Sequence, residues 1–336
     1  MHLSLKKYVL PLKHTFRISR ESYDFQDTLI VCLSHKGKTG YGEATSNPYY
    51  QITLELMEQE IENIRDEIAV FDLTDPETFH AFLVAKGLSN FAICALDLAA
   101  NDLYGKLMEK PLHRIWGTNL DHYPVSNYTI GLDTIDKMVA KMREVPWPIY
   151  KIKLGTENDV AIIRELRKYS KAVFRVDANC AWEVDETIAN AITLKTLGVE
   201  FIEQPLKANN WEGMEKVMHQ SVLPIIADES CIVESDVEKC GLHFSGINIK
   251  LTKCGGVTPA LRMIKKGRAM GMKIMVGCMT ESTVGISAIA QLLPQLDYVD
   301  MDGAMLLKKD IASGVQLRST GEVVFPTLGG SGITLL

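Results

Sequence analysis

The chain has 336 residues, of which 46% are hydrophobic and 23% charged, and its formal charge is −6. That composition belongs to a globular chain with a substantial core and gives no basic footprint for nucleic acid or an anionic membrane. No stretch of ~20 uninterrupted apolar residues is present, so no segment is expected to span a membrane. Seven cysteines scattered from Cys32 to Cys278, with no CxxC pair, read as free thiols. Together with a first decapeptide that lacks the apolar run of a signal peptide, they give the expectation of a reducing, cytoplasmic setting.

The first ~35 residues alternate apolar and polar side chains in the manner of antiparallel strands. The clearest strand is 29–33, and 35–40 reads as a turn leading into Tyr41-Gly42-Glu43-Ala44. Helices are predicted over 54–64, where apolar residues recur at three and four, and over 91–108, which is apolar on most of its surface. Strands followed by segregated helices make residues 1–118 a small α+β capping domain. From about residue 123 short apolar strands alternate with amphipathic helices. Eight strands are expected, at 125–128, 150–154, 173–177, 201–203, 224–228, 247–250, 273–277 and 298–302. Repeated units of this kind close most readily as a parallel (β/α) barrel over 119–308, with 309–336 returning to the capping domain. An open doubly wound sheet is the competing arrangement, and the missing glycine-rich GxGxxG turn weighs against its dinucleotide-binding form.

A barrel of this type carries its chemistry at the C-terminal ends of its strands. The predicted strands end in Lys153, Asp177, Glu203, Asp228, Lys250 and Asp302. Burying such charges is costly unless they pair or bind a metal. Asp177, Glu203 and Asp228 lie on consecutive strands, and three carboxylates without imidazole or thiolate suit a hard divalent ion such as Mg²⁺. Lys151 and Lys153 share one face of the second strand, since side chains alternate with a period of two. Two ammonium groups in one pocket disfavour protonation, which is a route to a basic amine. Lys250, on the sixth strand, faces Lys153 across the barrel. Two bases flanking a metal-held carboxylate have the layout needed to remove an α-proton from one face and return one to the other. Lys253, in Thr252-Lys253-Cys254-Gly255-Gly256, is a rival to Lys250, but it falls beyond the strand and is expected as a loop or phosphate-type contact.

With these residues assembled, the chain resembles the enolase superfamily and, within it, the muconate lactonizing enzyme subgroup. The matching motifs are Lys151-Ile152-Lys153, Asp177-Ala178-Asn179, Glu203-Gln204-Pro205, Asp228-Glu229-Ser230, Asn248-Ile249-Lys250 with Gly255-Gly256, and 277–282. Tyr41-Gly42-Glu43-Ala44 extends the likeness into the capping domain. The resemblance implies Lys153 and Lys250 as the acid/base pair, Asp177, Glu203 and Asp228 as ligands of one Mg²⁺, and Lys151 as electrostatic support. The subgroup spans lactonization, succinylbenzoate synthesis, N-acylamino acid racemization and dipeptide epimerization, so fold alone does not name the reaction.

Asp300 and Asp302 discriminate, because they look like the aspartate pair with which dipeptide epimerases hold a free α-ammonium, a cation that lactones and N-acyl amines lack. The resemblance then implies epimerization of L-Ala-D/L-Glu from murein peptides. Arg20, or Tyr23 by another alignment of the early loop, would meet the side chain, the alternative being that Arg17 or Arg20 is a surface residue. Thr129, Cys278 and Met279 would complete the substrate wall. N-acylamino acid racemase or succinylbenzoate synthase activity is the alternative, and a non-catalytic dipeptide-binding protein a remote one. Relatives of this fold often form homo-oligomers.

Overall fold

The computed structural model describes residues 1–19 and 21–336. Its N-terminal part is an antiparallel meander of β1 (His2–Arg17), β2 (Ser22–His35) and β3 (Lys38–Thr45). Lys36 and Gly37, with φ of 47° and 73°, form the tight turn between the last two strands. The run 29–33 is apolar without alternation because β2 is covered on both faces. Leu29, Val31 and Leu33 pack with the helices of this part, whereas Ile30 and Cys32 meet Ala312 and Ile333 of the C-terminal leg.

Five helices follow: α1 (Leu54–Glu62), α2 (Arg65–Val70), α3 (Pro76–Ala85), α4 (Asn90–Leu107) and α5 (Leu112–Ile115). Helix α4 starts at Ser89, whose hydroxyl accepts from the Ala92 amide, and it lies directly on the backbone of β3. A Cβ on Gly42 would stand 2.0 Å from the Ala95 carbonyl oxygen, so only glycine permits that approach.

The larger part is a parallel barrel of β4 (Tyr128–Ile130), β5 (Ile149–Lys153), β6 (Val173–Asp177), β7 (Val199–Glu203), β8 (Ile225–Ala227), β9 (Gly246–Lys250), β10 (Lys273–Gly277) and β11 (Tyr298–Asp300). Every strand pairs with its sequence neighbours, and a bridge between Ser126 and Val299 joins the first strand's approach to the last. The outer layer consists of α6 (Ile135–Glu144), α7 (Asp159–Arg167), α8 (Val184–Thr196), α9 (Trp211–Gln220), α10 (Asp236–His243), α11 (Leu251–Cys254), α12 (Val257–Ala269) and α13 (Thr283–Leu292). Outward residues such as Ile152, Val176, Ile202, Ile249 and Val276 share one core with these helices. Inward, Phe201, Ile226 and Met275 fill the base beside the buried Arg175, whose guanidinium lies 4.9 Å from the Tyr298 ring centroid.

Strand register levels the charged ends. Lys153 pairs with Asp177, and Asp177 with Glu203; on the far side Gly277 pairs with both Lys250 and Asp300. Six of the eight strands are shifted from expectation by one to three residues at one or both ends, so that Asp228 falls one residue past β8; two of the shifts have visible causes. The first strand begins at Tyr128 rather than 125, because the Ser126 amide donates to the Gly321 carbonyl and Trp147 Nε1 donates to the Ser126 carbonyl, diverting that stretch from the ladder. The eighth ends at Asp300, and Asp302, with φ −90° and ψ 2°, opens a 3₁₀ turn over Gly303–Leu306.

After that turn the chain contacts the first part of the molecule repeatedly. Leu307 bridges Leu12, the Lys308 amide donates to the Pro11 carbonyl, and Lys106 Nζ donates to the Ile333 carbonyl. Among the described residues no helix is long and apolar enough to cross a membrane.

Candidate active site

A cavity of about 630 Å³ lies between the C-terminal rim of the barrel and the first fifty residues. Its floor carries Thr129, Lys151, Lys153, Lys250, Asp300 and Asp302; its roof is Phe16, Ile18, Tyr23, Phe25, Tyr49 and Tyr50; Cys278 and Met279 close one side. Below the floor the carboxylates of Asp177, Glu203 and Asp228 each place an oxygen within 4.8 Å of the others. All three are buried: Asp177 and Glu203 end β6 and β7 in register, and Asp228 follows β8 by one residue.

The two candidate bases grip opposite ends of this cluster. Lys153 Nζ donates to Asp177 Oδ2 at 2.6 Å, and Lys250 Nζ donates to Asp228 Oδ2 at 2.8 Å. Their strands, β5 and β9, are four apart in an eight-stranded barrel and hence on opposite walls. Burial works against a charged Lys250, but the negative charge of Asp228 outweighs it and holds the ammonium above the usual lysine range.

Lys151 departs from the expectation that two neighbouring ammoniums disfavour protonation, though not from that of electrostatic support. Instead of being pushed toward neutrality by its neighbour, it is 1% exposed and surrounded by Glu203, Asp300 and Asp177 at 2.8, 3.0 and 3.2 Å. Burial opposes its charge, yet those carboxylates raise it well above the ordinary value, which favours the ammonium form.

The fit of the cluster to a divalent ion is testable on Glu203. Lys151 Nζ lies 3.0 Å from its Oε1 and 2.8 Å from its Oε2, and Asn248 Nδ2 donates to Oε1 at 2.8 Å, so that Oε2 is buried with the Lys151 ammonium beside it and no well-aligned donor of its own. Burial, followed by the charge of Asp177, pushes Glu203 up to about 7. Three buried carboxylates that bring an oxygen each within 4.8 Å of one another, one of them with an oxygen lacking a well-aligned donor, are a donor set that suits a small, hard cation. The three carboxylates therefore fit Mg²⁺.

Residues to which the sequence reading gave no supporting role hold this set in place. Gln204 has φ 33°, rare for a non-glycine residue, and its side chain is fully engaged. Its Oε1 accepts from the Asp228 and Ser230 amides, and its Nε2 donates to the Leu206 carbonyl and Ser230 hydroxyl. The adjacency of Gln204 to Glu203 was the available signal. Lys253 is not the loop contact expected of it: it sits in the short helix α11, 1% exposed, with Nζ 2.6 Å from Asp228 Oδ1. The Gly255-Gly256 turn, at φ 99° and 116°, folds that helix back beneath the rim.

Asp300 and Asp302 converge on the floor, although only Asp300 is on the strand. Asp300 accepts from Asn127 Nδ2 at 2.7 Å and from Lys151 at 3.0 Å; Asp302 accepts from the Thr129 amide at 2.6 Å. Burial first, then the charge of Asp300, raises Asp302 well above the usual carboxylate range. Two carboxylates that cannot both ionise are completed by an incoming cation. Cys278 Sγ lies 4.0 Å from Asp302 Oδ1, and burial together with both aspartates keeps its thiol protonated.

The roof reads differently from the sequence. Tyr23 lines the cavity, but its hydroxyl is 2.8 Å from Thr280 Oγ1, tying the early hairpin to the barrel rim. Met279 Sδ accepts from Asn47 Nδ2 at 3.8 Å in a second such tie. Arg17 is exposed and does not line the cavity. Arg20 lies outside the described residues.

Residues 134–336 match the family model described as enolase C-terminal domain-like. The chain is 76% identical over 335 residues to the L-Ala-D/L-amino acid epimerase of Maribacter sp. (strain HTCC2170 / KCCM 42371), with 100% of this chain and 99% of the relative covered. It is 59% identical to the enzyme of the same name from Flavobacterium johnsoniae, with both chains fully covered. Among solved structures it is similar to the dipeptide epimerase from Cytophaga hutchinsonii complexed with Mg and D-Ala-L-Val, at TM-score 0.94 and 25% identity over 99% of this chain and 95% of that one. The chain belongs to the enolase C-terminal domain-like family and is an enzyme of its epimerase branch.

Proposed function

We propose that this enzyme inverts the α-carbon of the second residue of dipeptides that begin with L-Ala, using Lys153 and Lys250 as opposed acid/base groups. The observation that carries the reading is the attachment of these two lysines to opposite ends of one carboxylate cluster, 2.6 Å from Asp177 and 2.8 Å from Asp228. A dipeptide carboxylate lying over the cluster has its α-carbon between the two amines. The lysine that starts neutral takes the α-proton, the protonated lysine opposite returns one, and the configuration reverses. Mg²⁺ held by Asp177, Glu203 and Asp228 would offset the second negative charge that the substrate carboxylate gains when the α-proton leaves. Lys151, charged throughout, adds a fixed positive field below the same carboxylate. Asp300 and Asp302 hold the α-ammonium, with the Thr129 amide fixing Asp302.

The side chain of the inverted residue points to the roof. Phe16, Ile18, Tyr23, Phe25, Tyr49 and Tyr50 offer an aromatic and apolar wall that suits a range of second residues. L-Ala-D/L-Glu from murein peptides is within that range, with Arg20 as its cationic partner, and a cytoplasmic role in reusing cell-wall fragments follows from it. Incubation of the protein with Mg²⁺ in D₂O and a panel of L-Ala-L-Xaa and L-Ala-D-Xaa dipeptides tests the reading. Deuterium is expected at the α-position of the second residue. Absence of exchange across the panel, with exchange in N-acyl amino acids, would transfer the assignment to N-acylamino acid racemization.

A further inference from the structure

Lys253 touches neither the cavity nor the other carboxylates, yet it is among the most enclosed cations of the molecule. Its Nζ has three hydrogens and meets three close acceptors: the Asp228 carbonyl, Asp228 Oδ1 at 2.6 Å and the Cys231 carbonyl at 2.9 Å. Oδ1 and the carbonyl of one residue, held by a single ammonium, leave the Asp228 side chain one rotamer. The other oxygen, Oδ2, is thereby turned to Lys250 at 2.8 Å, and the Asp228 carboxylate contributes one oxygen to the acidic cluster. From the far side Gln204 fixes the backbone of the same turn through the Asp228 and Ser230 amides. No comparable clamp holds Asp177, whose Oδ1 accepts only from the Asn179 amide at 3.0 Å among the hydrogen bonds described.

We propose that Lys253 is a positioning residue: by occupying Asp228 Oδ1 it presents Oδ2 to the metal and seats Lys250, so that it governs one of the two proton-transfer faces and not the other. The assignment rests on the metal-assisted two-base reading above. It also explains why a lysine stands here. Three acceptors converging on one point match a compact ammonium and not the planar fork of arginine.

The test uses Lys253→Met, which keeps the stem and removes the donors, alongside wild type and Lys253→Arg. Mg²⁺ is titrated into each by calorimetry, and α-hydrogen exchange in D₂O is followed separately for the two configurations of one dipeptide at saturating Mg²⁺. Outer ligands of metal sites typically contribute 10–100-fold to affinity. For Lys253→Met we expect Mg²⁺ affinity at least about tenfold weaker, exchange of one configuration slowed well beyond the other, and no rescue by Lys253→Arg. Unchanged affinity, equal slowing of both configurations, or full rescue by arginine overturns the assignment. Should Lys253→Met not fold, Lys253→Gln is judged by the same measures, and failure of both to fold makes Lys253 a structural cation only. Wild type that binds no Mg²⁺ sinks the metal reading itself, whereas wild type and Lys253→Met binding alike sinks only the role of Lys253.

Discussion

Glu43, on a strand of the N-terminal sheet, caps a helix of the barrel through Ser282. Its Oε2 accepts from the Ser282 hydroxyl at 2.6 Å and from the Gly285 amide at 2.9 Å, and its Oε1 from the Ser282 amide at 3.0 Å and Thr28 Oγ1 at 2.9 Å. The carboxylate thus meets the first-turn amides of α13, where the helix dipole favours negative charge. Burial pushes Glu43 up against these four bonds. Replacing it with alanine leaves buried donors unmet on both sides of the junction. We expect Glu43→Ala to lose about 3 kcal/mol or more, read as a lower midpoint in urea unfolding, with Glu43→Gln in between.

One residue before that cap, Glu281 is pushed up to about 8, first by burial and then by the charge of Glu43. In the unfolded chain it titrates near the ordinary 4.5, so between these values the folded state holds a proton that the unfolded state has lost. Its contribution is fully present below pH 4.5 and is lost as pH rises through 8. Glu281→Gln, which cannot ionise, should therefore gain melting temperature relative to wild type as pH is raised from 5 to 8, in thermal scans at fixed salt. A constant offset across that range would contradict the assignment.

Separating the two lysines separates the two half-reactions. Lys153→Ala and Lys250→Ala should each lower epimerization on the order of 10³-fold. Each should retain wash-out of α-deuterium from only one configuration of the substrate, and the retained configuration should be opposite in the two variants. Proton NMR of each configuration in buffered water gives the result directly.

The aspartate pair predicts a change in binding and not in chemistry. Asp302→Asn removes one of the two charges available to the α-ammonium, and a charge-assisted hydrogen bond contributes about 1.5–3 kcal/mol. KM for dipeptides should rise about tenfold or more, with a smaller change in kcat. If Asp302→Asn leaves KM intact, the ammonium is held elsewhere.

The barrel was legible because its signal is local: an apolar strand closing on a charge, renewed about every 25 residues, requires no knowledge of the tertiary contacts. Asp177 and Glu203 were placed side by side this way, since hydrogen-bond register levels the ends of neighbouring strands, and Asp228 joins them from one residue beyond β8. Contacts made across the fold were not legible. The charge state of Lys151 depends on Asp300, 149 positions away, and the burial of Lys253 on a turn that only the glycine pair permits. The first strand was placed early because nothing in Val125 or Ser126 announces that Gly321 and Trp147 will claim their backbone. Asp302 was assigned to the strand by its period of two with Asp300, and a 3₁₀ turn brings it to the same floor by another route.

The level row formed by Lys153, Asp177 and Glu203 also constrains how this chain can change. Sliding any one of those strands forward by a single position would swing its charged terminus from the barrel interior to the helix layer and replace it with Ile152, Val176 or Ile202. Lengthening a helix or a loop on the outer layer leaves that alignment untouched. Insertions and deletions should therefore be tolerated around the barrel and eliminated within its staves, while the aromatic roof is free to diversify, so new substrates can be acquired without disturbing the proton-transfer apparatus.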